Sequence, residues 1–324
     1  MDIVYSIIIP HRNMPALLQR CLDSVPRRPD VEVIVVDDDS NEASLHVLAD
    51  MARHEADSGN DGWQFVVGQS QGGAGAARNV GLRLARGRKV LFADADDYFN
   101  YCIRDVLDDY RDDDSDIVFF DVLSVDSERY THADRATYLN HYIAAAATNW
   151  EYAQFHLRYS FGEPWCKLIK KELIDREELS FSEVPVHNDT RFSYMAGHYA
   201  DTVKTDRRAL YCVTSRQGSI SDFHHIDENY LTTVRLFAER EQFLRAHGVD
   251  ADKVRFRMHY VEMYRRRNDK TLFEAGMKVL EEYGFSREHV EKRISIERRK
   301  ERKKKRREWL AHHLSFVTMS SSQR

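Results

Sequence analysis

Short apolar runs alternate with amphipathic stretches through the first third of the chain. Val4 to Ile9 is a β-branched run that Pro10 stops, as suits a buried strand. Pro15 to Val25 follows, with Leu17, Leu18, Cys21 and Leu22 on one helical face. Val31 to Val36 predicts a second strand that ends in three aspartates. Glu42 to His54 predicts a helix, Trp63 to Val67 a third strand, Gly73 to Ala85 a helix, and Lys89 to Ala93 a fourth strand ending at Asp94-Ala95-Asp96-Asp97. Strands that are apolar on both faces and alternate with helices are the mark of a parallel sheet covered by helices. In such sheets ligands bind beyond the carboxyl ends of the strands. The polar clusters His11-Arg12-Asn13, Asp37-Asp38-Asp39-Ser40 and Asp94 to Asp97 all fall at those ends.

Further on, Asp116 to Val125 predicts another strand and Tyr130 to Tyr159 a less regular helical stretch. Beyond about Ser221 the pattern is helical to the end, and no internal repeat is apparent. With 324 residues and 42% hydrophobic positions, the chain can build one large domain with an appendage. Cys21, Cys102, Cys166 and Cys212 are far apart and form no CxxC, so they read as reduced thiols rather than a zinc or disulfide framework. The N-terminal MDIVYSIIIPHRN lacks a basic leader and reads as a first strand. No run approaches the ~20 apolar residues of a membrane span. The expectation is a cytoplasmic protein.

The net charge of −5 gives no reason to expect a nucleic-acid partner, but it hides an asymmetry. Lys292 to Arg307 holds eleven Lys or Arg against two Glu, a local +9 that leaves −14 on the rest. Cations on nearly every face argue against a buried helix. Trp309, Leu310, Leu314, Phe316 and Val317 follow, and basic residues flanked by aromatic and apolar ones suit an anionic membrane surface. The competing reading is a solvated helix or tail.

Asp94 and Asp96 are the sharpest candidates. Two carboxylates at a strand's end can turn toward one hard cation, and Mg²⁺ takes one or two carboxylates plus phosphate oxygens. A metal there can neutralise a departing diphosphate; the competing reading is an acidic turn or cap. Asp38 can accept from a base or ribose, or one of its neighbours can cap the next helix. Gly73 and Gly75 form G-x-G, but Arg78 stands where a third glycine belongs, so the dinucleotide fingerprint is weak. The helix start and Arg78 could face phosphate, or the small residues could simply pack tightly. Asp189 precedes an apolar helix start, where a lone Asp is usually an N-cap. Arg216 lies in a turn, followed by His224 and His225.

SIIIPHRN, VEVIVVDDDSNE, GAGAARNVGLRLARG and KVLFADADDYF, in that order, resemble glycosyltransferase family 2, the inverting enzymes of GT-A fold. PWCKLIKKELI, HNDTRF and YCVTSRQGSIS resemble later motifs of the family, so the resemblance covers roughly residues 1 to 222. It implies an α/β GT-A fold with a mostly parallel central sheet and a helical C-terminal extension. The corresponding division is 1–222 for the transferase domain, 223–290 for a helical subdomain and 291–324 for the basic tail. The implied function is metal-dependent, inverting transfer of a sugar from a nucleotide diphosphate donor, by family habit a UDP-sugar, to an acceptor hydroxyl in bacterial surface-polysaccharide or glycan assembly.

By the same resemblance Asp38 contacts the base, and Pro10, Arg12, Arg78 and Ala95 line the nucleotide pocket. Arg216 touches the diphosphate, Asp94 and Asp96 hold Mn²⁺ or Mg²⁺ with a late histidine, His224 or His225, and Asp189 is the general base. The implied acceptor is a glycan or a lipid-linked glycan, which would make a membrane contact through residues 291–317, on the inner face of the plasma membrane, useful. The sequence departs from the family at His11-Arg12-Asn13 and at Asn188, where a Glu is usual, which puts a second carboxylate at the base in doubt. Two other classes compete. One is a non-catalytic nucleotide-binding scaffold. The other is a sugar nucleotidyltransferase, which would want a glycine-rich loop after the first strand.

Overall fold

The computed structural model describes residues 2–59, 62–216, 227–254 and 258–320. The chain divides into two compact units, Met1–His225 and Ile226–Arg324.

In the first unit, β1 (Tyr5–His11), α1 (Pro15–Ser24), β2 (Val31–Asp38), α2 (Glu42–Asp57), β3 (Trp63–Ser70), α3 (Ala74–Leu84) and β4 (Lys89–Phe92) follow the predicted alternation. β1 lies between β2 and β4, with β3 outside β2, all parallel. Ile7, Ile9, Val33, Val35 and Leu91 on one face and Ile8, Ile34, Val36 and Phe92 on the other are fully or almost fully buried, which is why these strands carry apolar residues on both faces. α1 begins at Pro15, whose fixed φ and missing N–H suit a first turn. Asn41 caps α2 by accepting from the Ser44 N–H.

Pro10 does not end β1; it pairs with Val36 and the strand runs on to His11. Pairing with β4 stops at Ile8 and Phe92, so from Pro10 onward only β2 is a neighbour and the missing N–H interrupts no ladder.

Beyond β4 come β5 (Tyr98–Phe99), α4 (Ile103–Asp109), β6 (Ile117–Asp126), α5 (Thr137–Ala145), α6 (Trp150–Tyr159), β7 (Lys167–Lys170), α7 (Lys171–Arg176), α8 (Thr190–Tyr199) and β8 (Val203–Ser215). Among the described residues the sheet order is β3-β2-β1-β4-β7-β6-β8-β5. β7 runs antiparallel between β4 and β6, β6 pairs parallel with β8, and β5 pairs antiparallel with β8. The stretch Tyr130 to Tyr159, read as less regular helix, is helical from Thr137 onward, in two helices. Asn149 separates them, its side chain accepting from Tyr152 N–H to start α6.

The second unit holds α9 (Tyr230–Ala246), α10 (His259–Arg266), α11 (Lys270–Glu282) and α12 (Arg287–Ser320) around Tyr230, Val234, Val261, Tyr264, Met277 and Leu280. α12 crosses residue 290 without a break, and Val290 and Ile294 are fully buried. The basic stretch therefore begins inside a core, against the expectation from its charge. Arg293 is buried because Glu241 accepts from it with both oxygens at 2.9 Å, and Arg298 pairs with Glu262. Arg293 enters the apolar layer with its acid, while Arg298 reaches the buried Glu262 from a half-exposed position. Among the described residues no helix is long and apolar enough to cross a membrane.

Candidate active site

Because β1, β2 and β4 are parallel, their carboxyl ends open on one edge. The polar clusters of the sequence meet there, and each aspartate is committed differently. Asp37 accepts from His11 Nδ1 at 2.9 Å and from the Ser40 N–H at 3.0 Å. His11 Nε2 accepts from the Met14 N–H, which leaves the ring proton on Nδ1. Burial, opposed by Asp37, lowers the His11 pKa and keeps the ring neutral. Asp38 Oδ1 accepts from Ser70 Oγ at 2.8 Å and from the Gly73 N–H at 3.0 Å, tying β2 to the glycine-rich turn. Asp39 is exposed in the left-handed region, at φ 62°. Pro10 is buried in its strand, and Arg12 is exposed in the turn that follows.

At the end of β4, Asp94 Oδ1 accepts from Arg78 Nη2 at 2.5 Å, and its N–H donates to Tyr211 Oη at 2.8 Å. Tyr211 is buried and stacked on Trp165, their centroids 5.9 Å apart. Thus the tryptophan of PWCKL supports the acidic turn from below. Asp96 Oδ2 accepts from Arg216 Nε at 2.9 Å, while its carbonyl accepts from Thr214 Oγ1 at 2.8 Å and from Arg20 Nη2 at 2.5 Å. Ala95 and Asp97 are buried. Burial first, then the charges of Asp94 and Asp96, raise the Asp97 pKa well above the usual range. The Thr214 N–H holds its carboxyl at 2.6 Å.

The glycine-rich segment serves this edge through packing. Gly73 precedes α3 at φ 84°, a conformation that favours glycine. A Cβ on Gly75 would lie 2.2 Å from the Ser182 carbonyl oxygen, so only glycine lets α3 approach the loop that leads to Asp189. Asn79 reinforces that approach: its side chain donates to Phe181 O at 3.0 Å and accepts from Phe181 N–H at 2.8 Å. Tight helix–sheet packing is also present, since a Cβ on Gly81 would meet Ile8. Arg78 then bridges two loops. Its Nη1 donates to Asn188 Oδ1 at 2.9 Å and its Nη2 to Asp94, while its buried Nε has no hydrogen-bond partner among the described residues.

Asp189 occupies the N-cap position of α8, yet its side chain makes no capping hydrogen bond. It keeps part of its surface open while lying deep among protein atoms. Removal from water, and then the negative charges of Glu163 and Asp94 against Arg78, push its pKa up to about 7. Such a carboxylate is poised as a base near neutral pH. Lys167 is buried nearby, with Nζ donating to Ser193 Oγ at 2.9 Å and Phe161 O at 3.2 Å. Burial brings its pKa down to about 7, against the pull of Glu163 and Asp189.

The fold thus joins Asp94, Arg78 and Asn188 directly, sets Asp189 within their electrostatic reach, and links Asp96 to Arg216. His224 lies outside the described residues. Among the described residues no group of three or more His, Cys, Asp or Glu gathers for a metal. Asp94 and Asp96 each keep one oxygen outside the arginine bond, so the pair fits a divalent cation whose other ligands are phosphate oxygens and water. Sequence reasoning missed Glu163, Arg20 and Tyr211. Tyr211 and Glu163 lay in or beside quoted motifs and could have been found there; a lone arginine on α1 gave no signal.

The family model described as glycosyl transferase family 2 matches residues 6–175. An uncharacterized glycosyltransferase of Bacillus subtilis (strain 168), EpsJ, is 25% identical over 243 residues, which cover 72% of this chain and 69% of EpsJ. Staphylococcus aureus TarS 1–349 in complex with UDP-GlcNAc superposes with a TM-score of 0.56 at 18% identity, over 87% of this chain and 91% of that one. A longer TarS chain is spanned over 55% of its length. A mannosyltransferase of Pyrobaculum calidifontis in complex with GDP-Man and Mn²⁺ gives a TM-score of 0.52 at 14% identity, over 85% of this chain and 73% of that one.

Proposed function

The chain belongs to glycosyl transferase family 2, and from that premise we propose that it moves a sugar from a nucleotide diphosphate donor, a UDP-sugar, onto an acceptor hydroxyl with inversion. The observation that carries the reading is the uncapped Asp189, its pKa up to about 7, beside the Arg78 bridge between Asp94 and Asn188. Asp38, with one oxygen free of its structural bonds, receives the base together with Pro10, Arg12 and Ala95. Arg78 and Arg216, each now on one carboxylate, are within the site to share their charge with the diphosphate. Asp94 and Asp96 would hold a divalent cation, which would supply further positive charge to the departing phosphate. Asp189 takes the proton of the acceptor hydroxyl as its oxygen bonds to the anomeric carbon. The bond from that carbon to the phosphate oxygen breaks with its electron pair, and the nucleoside diphosphate leaves.

TarS is captured with UDP-GlcNAc and the Pyrobaculum enzyme with GDP-Man and Mn²⁺; these neighbours support a nucleotide sugar and a divalent metal as donor and cofactor for this chain. The test is nucleotide release from a panel of UDP-, GDP- and dTDP-sugars with Mn²⁺ or Mg²⁺. Release from one donor, abolished by EDTA and by Asp96→Ala, is expected. Absence of both release and calorimetric donor binding overturns the reading in favour of a scaffold.

The acceptor is proposed to be a glycan or lipid-linked glycan at an anionic membrane, met through the basic helix. Val290 and Ile294 belong to the core, so a truncation must spare the start of α12. In vesicles containing anionic phospholipid, the full chain is expected to float and a chain ending at Lys300 to remain below. Equal flotation removes the membrane role.

A further inference from the structure

The loop from Phe161 to Glu163 is fastened to the first turns of α8. Lys167 Nζ donates to the Phe161 carbonyl at 3.2 Å and to Ser193 Oγ at 2.9 Å, and Ser193 Oγ donates onward to the Gly162 carbonyl. A Cβ on Gly162 would lie 3.6 Å from Thr190 Oγ1, so the loop rests on the residue directly after Asp189. Lys167 lies over the rings of Phe119 and Phe161, at 5.7 and 4.7 Å, and its ammonium joins this loop to α8 through Phe161 O and Ser193 Oγ. The carboxylate that the clamp sets at the site is Glu163. It is exposed, and among the described residues it has no hydrogen-bond or ion-pair partner. Glu163 and Asp189 thus sit on segments that meet through Gly162 and Thr190 and are fastened by a buried lysine, and the charge of Glu163 is felt at Asp189. Nothing in the packing requires a glutamate there, because its side chain packs into no core.

Carboxylates on two neighbouring segments call for a ligand that brings a hydroxyl donor to each. Asp94 is tied to Arg78 at 2.5 Å, whereas Glu163 is exposed with no such partner among the described residues, which makes it the acid available to the molecule being glycosylated. We propose that Glu163 binds the acceptor, accepting a hydrogen bond from a hydroxyl on the carbon next to the one whose proton Asp189 removes. The acceptor class is then a sugar or alditol with hydroxyls on adjacent carbons, not an isolated alcohol. This inference rests on the transferase reading above and names the acceptor chemistry of that same site.

The experiment uses the full chain with whichever UDP-sugar it turns over. The acceptors are methyl β-glucoside, methyl N-acetyl-β-glucosaminide and ribitol, with n-butanol as an alcohol lacking a neighbouring hydroxyl. The wild type is expected to transfer to at least one of the first three and to disfavour n-butanol. Glu163→Ala raises the acceptor KM at least about tenfold, the scale of one hydrogen bond to a charged group, and leaves the donor KM in place. Glu163→Gln, which still offers an oxygen, recovers most of the loss. An unchanged acceptor KM in Glu163→Ala overturns the proposal. So does a rise in donor KM equal to the rise in acceptor KM, or a wild type stimulated by none of the three polyols while it releases nucleotide to water. Failure of the wild type to release nucleotide from, or bind, any donor overturns the transferase reading instead.

Discussion

Four of the acids at this site keep two kinds of company. Asp94 and Asp96 are each held by an arginine, Arg78 at 2.5 Å and Arg216 at 2.9 Å. Asp189 makes no capping bond, and Glu163 has no partner among the described residues. A carboxylate paired with a guanidinium stays charged when partly withdrawn from water, whereas one crowded by another carboxylate holds its proton more tightly. The paired acids therefore suit cation and phosphate chemistry, in which charge is fixed and shared. The crowded acid suits proton transfer, in which charge must come and go near pH 7. On the proposed reading, the contrast separates a donor side with ion-paired acids from an acceptor side whose acid is shifted by burial first and by the charge of Glu163 second.

The sharpest way to break that contrast is Asp189→Asn. Transfer should fall by roughly 10²–10⁴-fold, the usual worth of a positioned base, while calorimetry still records donor binding through the paired side. Retained transfer near the wild-type rate would place the base elsewhere. Next in size is Gly75→Ala. Its methyl group would meet the Ser182 carbonyl at 2.2 Å and push the Asp189 loop from α3. A loss of about 1–3 kcal/mol in unfolding free energy is expected, together with weakened transfer; an unaltered melting temperature would show that the loop yields freely.

Two pH measurements sharpen the comparison further. The transfer rate should rise with pH and reach half its plateau near pH 7, as Asp189 loses its proton; a profile flat between pH 5.5 and 8 would contradict this. Stability should move the other way. The unfolded Asp titrates near ~3.9, and the native one near about 7, so between these values only the native state holds the proton. Stability from this group is greatest below pH 4 and is lost as pH rises to about 7. The melting temperature of Asp189→Asn should thus exceed that of the wild type by a few degrees at pH 8, with the gap closing toward pH 4. An equal gap at both pH values would mean that the substitution acts through packing alone.

Much of the donor side was legible in the chain. β1, β2 and β4 are apolar on both faces, so their run lengths marked them as buried parallel strands, and parallel strands must present their carboxyl ends on one edge. That placed Asp38 and Asp94 to Asp96 together before any coordinates. The short strands were not legible. β7 has four residues and β5 two, too few for a period, and β8 mixes VKTDRR with LYCV. The acceptor side was also hidden, because Asp189 in isolation has the pattern of an N-cap.

The sequence by itself determined the alternation, the polar strand ends and the order of motifs, since these follow from side-chain periodicity along a single stretch. Tertiary structure decided what each acid does. Arg78 reaches Asn188 across 110 positions, and Glu163 acts on Asp189 from a loop that Lys167 holds in place. Charge acts through space and falls with distance, and neighbours in space are not neighbours along the chain.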